Sequence, residues 1–130
     1  MKLIKRMRIF GGIFMLLSVV LGALSSHYLS QFTDEKTLSG FQTGVRYLTY
    51  HGLALLILSQ FDFKNKIREH LLLFLFMTIG VSLFSGSIFI LSFKEYFPFS
   101  IRWLGPITPL GGSMLLLAWF LCIQSFRKSD

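Results

Sequence analysis

The chain has 130 residues, enough for one compact domain, and 53% of them are apolar; a mean hydropathy of +0.64 excludes an ordinary soluble globular protein and reads as a membrane protein. Thirteen Lys and Arg against six Asp and Glu leave a net charge of +7. In so apolar a chain that excess reads as orientation in a bilayer and not as a nucleic-acid surface.

Stretches without Asp, Glu, Lys or Arg cover 9–33, 71–93 and 103–126, and a fourth, 37–61, is interrupted only by Arg46. About 20 apolar residues carry a helix across a hydrocarbon core of roughly 30 Å, because each backbone polar group must find its partner within the segment. Helices are therefore expected near 9–29, 40–61, 68–93 and 106–126. Their short connections predict an all-α, transmembrane four-helix up-and-down bundle, with residues 1–130 as a single domain.

The first helix follows a basic start, and the run Gly22-Ala23-Leu24-Ser25-Ser26 has the small residues of a signal-peptide cleavage site. Its apolar stretch from Ile9 outlasts the 7–15 residues or so of a signal core, which favours a retained span. Ser18, Gly22 and Ser26 recur every four residues along it, with Gly11 and Met15 continuing the stripe one way, a spacing that lets helix backbones approach in lipid. The second helix offers an amino-terminal signature in Ser39-Gly40-Phe41-Gln42. The third repeats the small-residue stripe in Thr78, Ser82 and Gly86, with Ser85 adjacent. The fourth is expected to begin at Pro106, whose missing amide costs nothing in a first turn, and Gly111-Gly112 gives it a flat surface for a neighbour. The stripes are read as packing within the bundle, with a dimer interface or a pore as the functional alternative.

Orientation follows from nine basic residues on one side (Lys2, Lys5, Arg6, Arg8, Lys64, Lys66, Arg68, Arg127 and Lys128) against three on the other, Lys36, Lys94 and Arg102. The positive-inside rule then puts both termini in the cytoplasm. Tyr28, Phe32, Tyr96, Phe97, Phe99 and Trp103 gather at the opposite boundary, where amphipathic rings prefer to sit. The predicted location is the cell membrane, multi-pass, and specifically a bacterial inner membrane.

Arg46 is the most informative residue, since a charged group inside a span costs at least about 2.5–3.5 kcal/mol and normally faces the bundle interior or reaches the interface. On a helical wheel Thr43, Tyr47, Tyr50 and His51 share its side of the helix, while Val45, Thr49, Gly52 and Leu56 lie opposite. No Asp or Glu lies deep in any span. Arg46 is thus expected either to cap the carbonyls of a neighbouring helix end or to hold an anionic ligand or lipid headgroup. Two helix amino termini, with their partial positive charge, lie on the same side as Arg46, Arg102 and His27 and favour the anion. His27 and His51 without nearby carboxylates or thiolates do not make a zinc site; no metal and no cofactor is expected. Cys122, the one cysteine, excludes an intrachain disulfide and a Cys-x-x-Cys redox pair and reads as a small buried hydrophobe. Ser85 and Ser87 lack the positioned base and oxyanion site that a nucleophile needs.

The run from Phe41 to Leu56, which contains Arg46, Tyr47, Tyr50 and His51, then Leu83-Phe84-Ser85-Gly86-Ser87, then Leu104 to Gly112, resembles the small inner-membrane family known as domain of unknown function 423, also uncharacterised membrane protein family 0382. The resemblance covers essentially the whole chain and implies a multi-pass membrane protein of this size; it brings no activity with it. In the first helix the family tends to read Gly-Ala-x-Gly-Ala-His-Gly. Here His27 keeps its place while Ser25 and Tyr28 stand where the family has glycines, so close backbone approach is not carried over to that stretch.

These readings favour a non-enzymatic bundle that binds membrane lipids or another membrane protein, with self-association open, through a polar cluster in its outer half: Arg46, Tyr47, Tyr50, His51, His27, Ser85, Ser87 and Arg102. One alternative is an oligomeric transporter or channel for a small solute, against which stands the lack of an acidic residue within a span. A quinone-binding accessory protein is the other, and Tyr and His donors alone give it no means of electron exchange.

Overall fold

The computed structural model describes residues 2–61 and 67–127, and every regular element among them is helical. Four long helices, α1 (Lys2–Leu24), α2 (Glu35–Leu58), α3 (Ile67–Ser92) and α4 (Ile107–Arg127), follow one another. A π-helical turn at Ser25–Leu29 and a last turn at Ser30–Phe32 prolong α1, and two 3₁₀ turns, Lys94–Tyr96 and Arg102–Leu104, lie between α3 and α4. Three stretches are long and apolar enough to cross a membrane, namely Lys2–Phe32, Ile67–Ser92 and Arg102–Arg127. Helix α2 has the length, but its polar residues Gln42, Thr43, Arg46, Thr49 and His51 keep it below that apolarity. Lys64, Lys66 and Lys128, three of the residues that set the expected orientation, lie outside the described residues.

Two helix starts differ from the expectation, each for a physical reason. Helix α1 begins at Lys2, not near residue 9, because basic side chains end a hydropathy run without ending a helix: Met7 is fully buried and Leu3 and Ile4 pack against the core, while the charged heads reach outward on their methylene stems. Helix α2 begins at Glu35, not near 40. Asp34 is its N-cap, with one carboxylate oxygen accepting from the Thr37 amide at 2.9 Å and the other from the Thr37 hydroxyl at 2.8 Å. A carboxylate bonded to orphan amides at a positive helix end outcompetes the later Ser39 signal. That bonding also holds the Asp34 carboxyl below its ordinary range, with the Thr37 amide as the leading cause.

The helices pack in series, α1 on α2, α2 on α3 and α3 on α4, with α1 touching α3 lightly. Among the described residues α1 and α4 share no substantial contact, so the four do not close into the ring of a regular bundle. A single core runs through the series, from Met7 and Phe14 through Leu48, Leu55, Met77 and Val81 to Leu115, Ala118 and Cys122.

Glycines mark the crossings: Gly11 and Gly111 lie on surfaces expected to pack, whereas Gly52, Gly80 and Gly44 were not expected there. At the α1–α2 crossing a Cβ on Gly11 would lie 2.9 Å from the Gly52 carbonyl oxygen, and one on Gly52 would lie 3.2 Å from the Gly11 oxygen. At the α3–α4 crossing a Cβ on Gly111 would lie 2.5 Å from the Phe84 nitrogen and 2.8 Å from the Gly80 oxygen. At the α2–α3 contact a Cβ on Gly44 would meet the Phe89 ring at 2.7 Å. Gly86, expected as a packing residue, has nothing within 4 Å of such a position. Gly22 and Gly112 would make only ordinary contacts, at 3.6 Å to Val45 and 3.7 Å to Phe84. Ser18 is buried, but Ser26 and Ser82 are exposed, and all three hydroxyls bond carbonyls of their own helix (Ser18 to Met15, Ser26 to Gly22, Ser82 to Thr78). Such back-bonding satisfies a hydroxyl in lipid without any neighbour, so a serine stripe carries no interhelical contact by itself.

Candidate polar site on helix α2

Four residues of α2 turn away from the core along one stripe: Arg46, Tyr50, Leu53 and Ile57 are all exposed. They recur at the three- and four-residue steps that place side chains on one helix face. Arg46 thus faces out of the helix packing, not into it. Its Nη2 donates to the Thr43 hydroxyl at 2.9 Å, and that hydroxyl donates to the Ser39 carbonyl at 3.0 Å. The chain of bonds runs toward the start of α2, the direction in which helical side chains lean. A guanidinium has five N–H donors, and among the described residues this is the one side-chain bond Arg46 makes. No neighbouring helix end is capped by it.

His51 lies one face further round and is buried. Its Nδ1 is 2.7 Å from the Tyr47 carbonyl oxygen, and its Nε2 accepts from the Trp119 indole at 3.2 Å. A carbonyl can only accept and an indole N–H can only donate, so the two bonds together assign the neutral Nδ1–H tautomer. Both ring nitrogens are then engaged in hydrogen bonds within the protein. The Tyr47 ring bridges inside and outside, its centroid 4.4 Å from Phe84 and 5.9 Å from His51, with Tyr50 at 6.3 Å.

Of the residues predicted to cluster, Arg46, Tyr47, Tyr50 and His51 share α2. Ser85 meets that helix from α3, its hydroxyl donating to the Gly44 carbonyl at 2.8 Å in a buried setting. Ser87 turns toward α4 and pairs with the Thr108 hydroxyl at 2.6 Å. His27 sits exposed in the π-helical turn after α1. Arg102 lies apart, on the α3–α4 connection, where it lines a cavity of about 430 Å³ with Leu91, Lys94, Phe97, Phe99, Ser100 and Ile101. Among the described residues no hydrogen bond links His27 or Arg102 to the α2 cluster.

Sequence reasoning missed Trp119 as a partner of His51, although an indole inside a span needs an acceptor. It also missed the buried pairing of His70 with Ser125, 2.8 Å apart, which joins α3 to α4. Among the described residues no three of His, Cys, Asp and Glu converge as a metal site would require.

Comparison with known proteins bears on identity. Residues 21–112 match the family described as "Protein of unknown function (DUF423)". The chain is 34% identical over 120 residues to a UPF0382 membrane protein of Staphylococcus haemolyticus, covering 92% of this chain and 93% of that one. It is 37% identical over 121 residues to the UPF0382 membrane protein YwdK of Bacillus subtilis, covering 92% and 94%, and 37% identical over 105 residues to a UPF0382 membrane protein of Schizosaccharomyces pombe, covering 80% and 86%. No solved structure matches. With relatives that are membrane proteins over nearly their whole length, and with three helices able to cross a bilayer, the chain is a multi-pass cell-membrane protein and belongs to the DUF423 family.

Proposed function

We propose that residues 1–130 form one transmembrane domain in which all four long helices cross the membrane, up and down, with both termini in the cytoplasm, and that the protein is a non-enzymatic binder of anionic lipid headgroups. The nine-to-three asymmetry of basic residues supports the orientation. Helix α2 supports a fourth crossing by its 24 residues, about 36 Å at 1.5 Å per residue. Its buried polar positions, His51 and Gly44, are covered by α3 and α4 through the Trp119 bond, the Phe89 ring and the Ser85 hydroxyl.

The observation that carries the binding role is Arg46 itself: an exposed guanidinium on an outward face, spending one donor on Thr43. It lies eleven positions after Glu35, the first residue of α2, roughly 16 Å along the axis. Because the side chain leans toward the start of the helix, its fork of donors rises toward the outer headgroups, where a phosphate accepts two parallel bonds.

Native mass spectrometry of the wild type, Arg46→Gln and Arg46→Lys in anionic lipid tests this reading. Both variants should retain less phosphatidylglycerol, because lysine cannot reproduce a planar fork, while their unfolding stays at the wild-type level. Full retention by Arg46→Gln refutes it.

A further inference from the structure

The connection between α3 and α4 has a composition suited to an amphiphile. Lys94 and Arg102 line one cavity of about 430 Å³ together with Ser100, and the remaining wall is apolar: Leu91, Phe97, Phe99 and Ile101. Ile101 is buried, while the Phe97 and Phe99 rings sit 5.8 Å apart, centroid to centroid, and stay exposed. Among the described residues neither the Lys94 ammonium nor the Arg102 guanidinium has a hydrogen-bonded or ion-paired side-chain partner. Glu95, the one acidic residue between α3 and α4, does not line the cavity.

Two cations held on one concave surface repel each other and gain most from an occupant that carries negative charge between them. A phosphate suits both, since it offers several acceptor oxygens to an ammonium and to a guanidinium fork at once. The apolar wall adds a second requirement that an inorganic ion does not meet. Phenyl rings at a membrane boundary are covered by acyl chain or lost to water, and a cavity with one polar side and one greasy side matches the junction of headgroup and chain.

We infer that the Lys94–Arg102 cavity is a binding site for the phosphate of an anionic phospholipid, its acyl chain lying along Leu91, Phe97 and Phe99. This extends the lipid-binding reading to a second place on the chain and rests on it, but it involves none of the residues around Arg46.

The test compares the wild-type chain, Lys94→Gln/Arg102→Gln, Lys94→Arg/Arg102→Lys and Arg46→Gln in nanodiscs, with phosphatidylglycerol titrated and retained lipid counted by native mass spectrometry. At about a tenfold loss per 1.4 kcal/mol, and about 1 kcal/mol per basic residue near an anionic surface, the double glutamine variant should bind roughly 30-fold more weakly. Its unfolding should be unchanged, since neither side chain has a protein partner to lose. The charge-preserving swap should bind as the wild type does, and Arg46→Gln should keep this site filled. Phosphatidylcholine should bind less well, because its choline cation meets two like charges. Wild-type binding by the double glutamine variant overturns the proposal whatever Arg46→Gln does. Loss of all bound lipid in Arg46→Gln overturns it too, while leaving the Arg46 reading intact. Displacement of the lipid by inorganic phosphate alone assigns the cavity to the free anion and overturns the lipid assignment.

Discussion

Replacing Gly111 with alanine puts one methyl group where two helix backbones meet. The new Cβ would lie 2.5 Å from the Phe84 nitrogen, 2.8 Å from the Gly80 oxygen and 2.9 Å from the Phe84 Cα. Ordinary contact begins at 3.4 Å, so α4 must move off α3 by roughly 1 Å, and a gap of that size forfeits about a quarter to a half of each dispersion contact across it. No flexible side chain can absorb the shift, because every crowded atom belongs to a backbone. Leu115, which itself packs 3.0 Å from the Cβ position of Gly80, moves with the helix. The expected cost is that of an overpacked core, about 1–3 kcal/mol. Unfolding by dodecyl sulfate titration in mixed micelles, followed by tryptophan fluorescence, reads it, with Gly86→Ala as the matched control. A methyl at Gly86 meets nothing within 4 Å, so that variant should unfold as the wild type does or gain up to about 1 kcal/mol from helix propensity. Wild-type stability in Gly111→Ala, or an equal loss in Gly86→Ala, would refute the assignment of the crossing to Gly80 and Gly111.

Trp119→Phe should lose about 0.6–1 kcal/mol, because it leaves the Nε2 atom of His51 without its donor inside the packed helices; the same micelle titration measures this, and a cost no larger than that of an outward ring such as Phe120→Leu speaks against the bond. Asp34 has its pKa lowered in the folded chain, so the stability it adds to the start of α2 is present above its unfolded pKa and disappears as pH falls through the lower folded value. Acid titration of unfolding should therefore show a loss below about pH 4 that Asp34→Asn lacks, and identical acid profiles would contradict the cap. A cytoplasm-active reporter fused after residue 130 should function, and activity confined to an externally active reporter would invert the proposed topology.

Hydropathy made the apolar parts of the fold legible, because lipid imposes one requirement on each spanning segment. Helices α3 and α4 begin and end within one residue of where charge and proline place them. The two misplaced starts have different causes: the first was read from where charge stops, whereas Lys2 to Arg8 extend a helix, and the second from the Ser39 signature, whereas Asp34 already begins one. The polar face of α2 was legible as a set of residues but not as a direction. Arg46 was expected to face the bundle interior or to reach the interface, and the wheel does not choose between them because it does not say which neighbours α2 has; Leu48, Leu55 and Gly44 claim the inward face. The crossing glycines were legible only in part, Gly11 and Gly111 as small residues on packing surfaces but not Gly52 and Gly80 as the glycines they meet. A four-residue stripe marks one helix that could pack closely, while a crossing needs a particular pair, and Gly11 with Gly52 or Gly80 with Gly111 is a property of two helices at once.

The glycine crossings also bear on how the chain enters a membrane during synthesis. Helix α2, leaving a translocation channel alone, would present Arg46, Gln42 and His51 to lipid with less apolar surface to offset them than any other long helix. Helix α1 emerges first and carries the surface around Gly11 that α2 fits. If α2 crosses as proposed, its entry would be coupled to a partner already in place, and the smallest unit to partition well would be the α1–α2 hairpin. A lesion at Gly11 would then weaken the insertion of a helix that has not yet been made when Gly11 enters the bilayer.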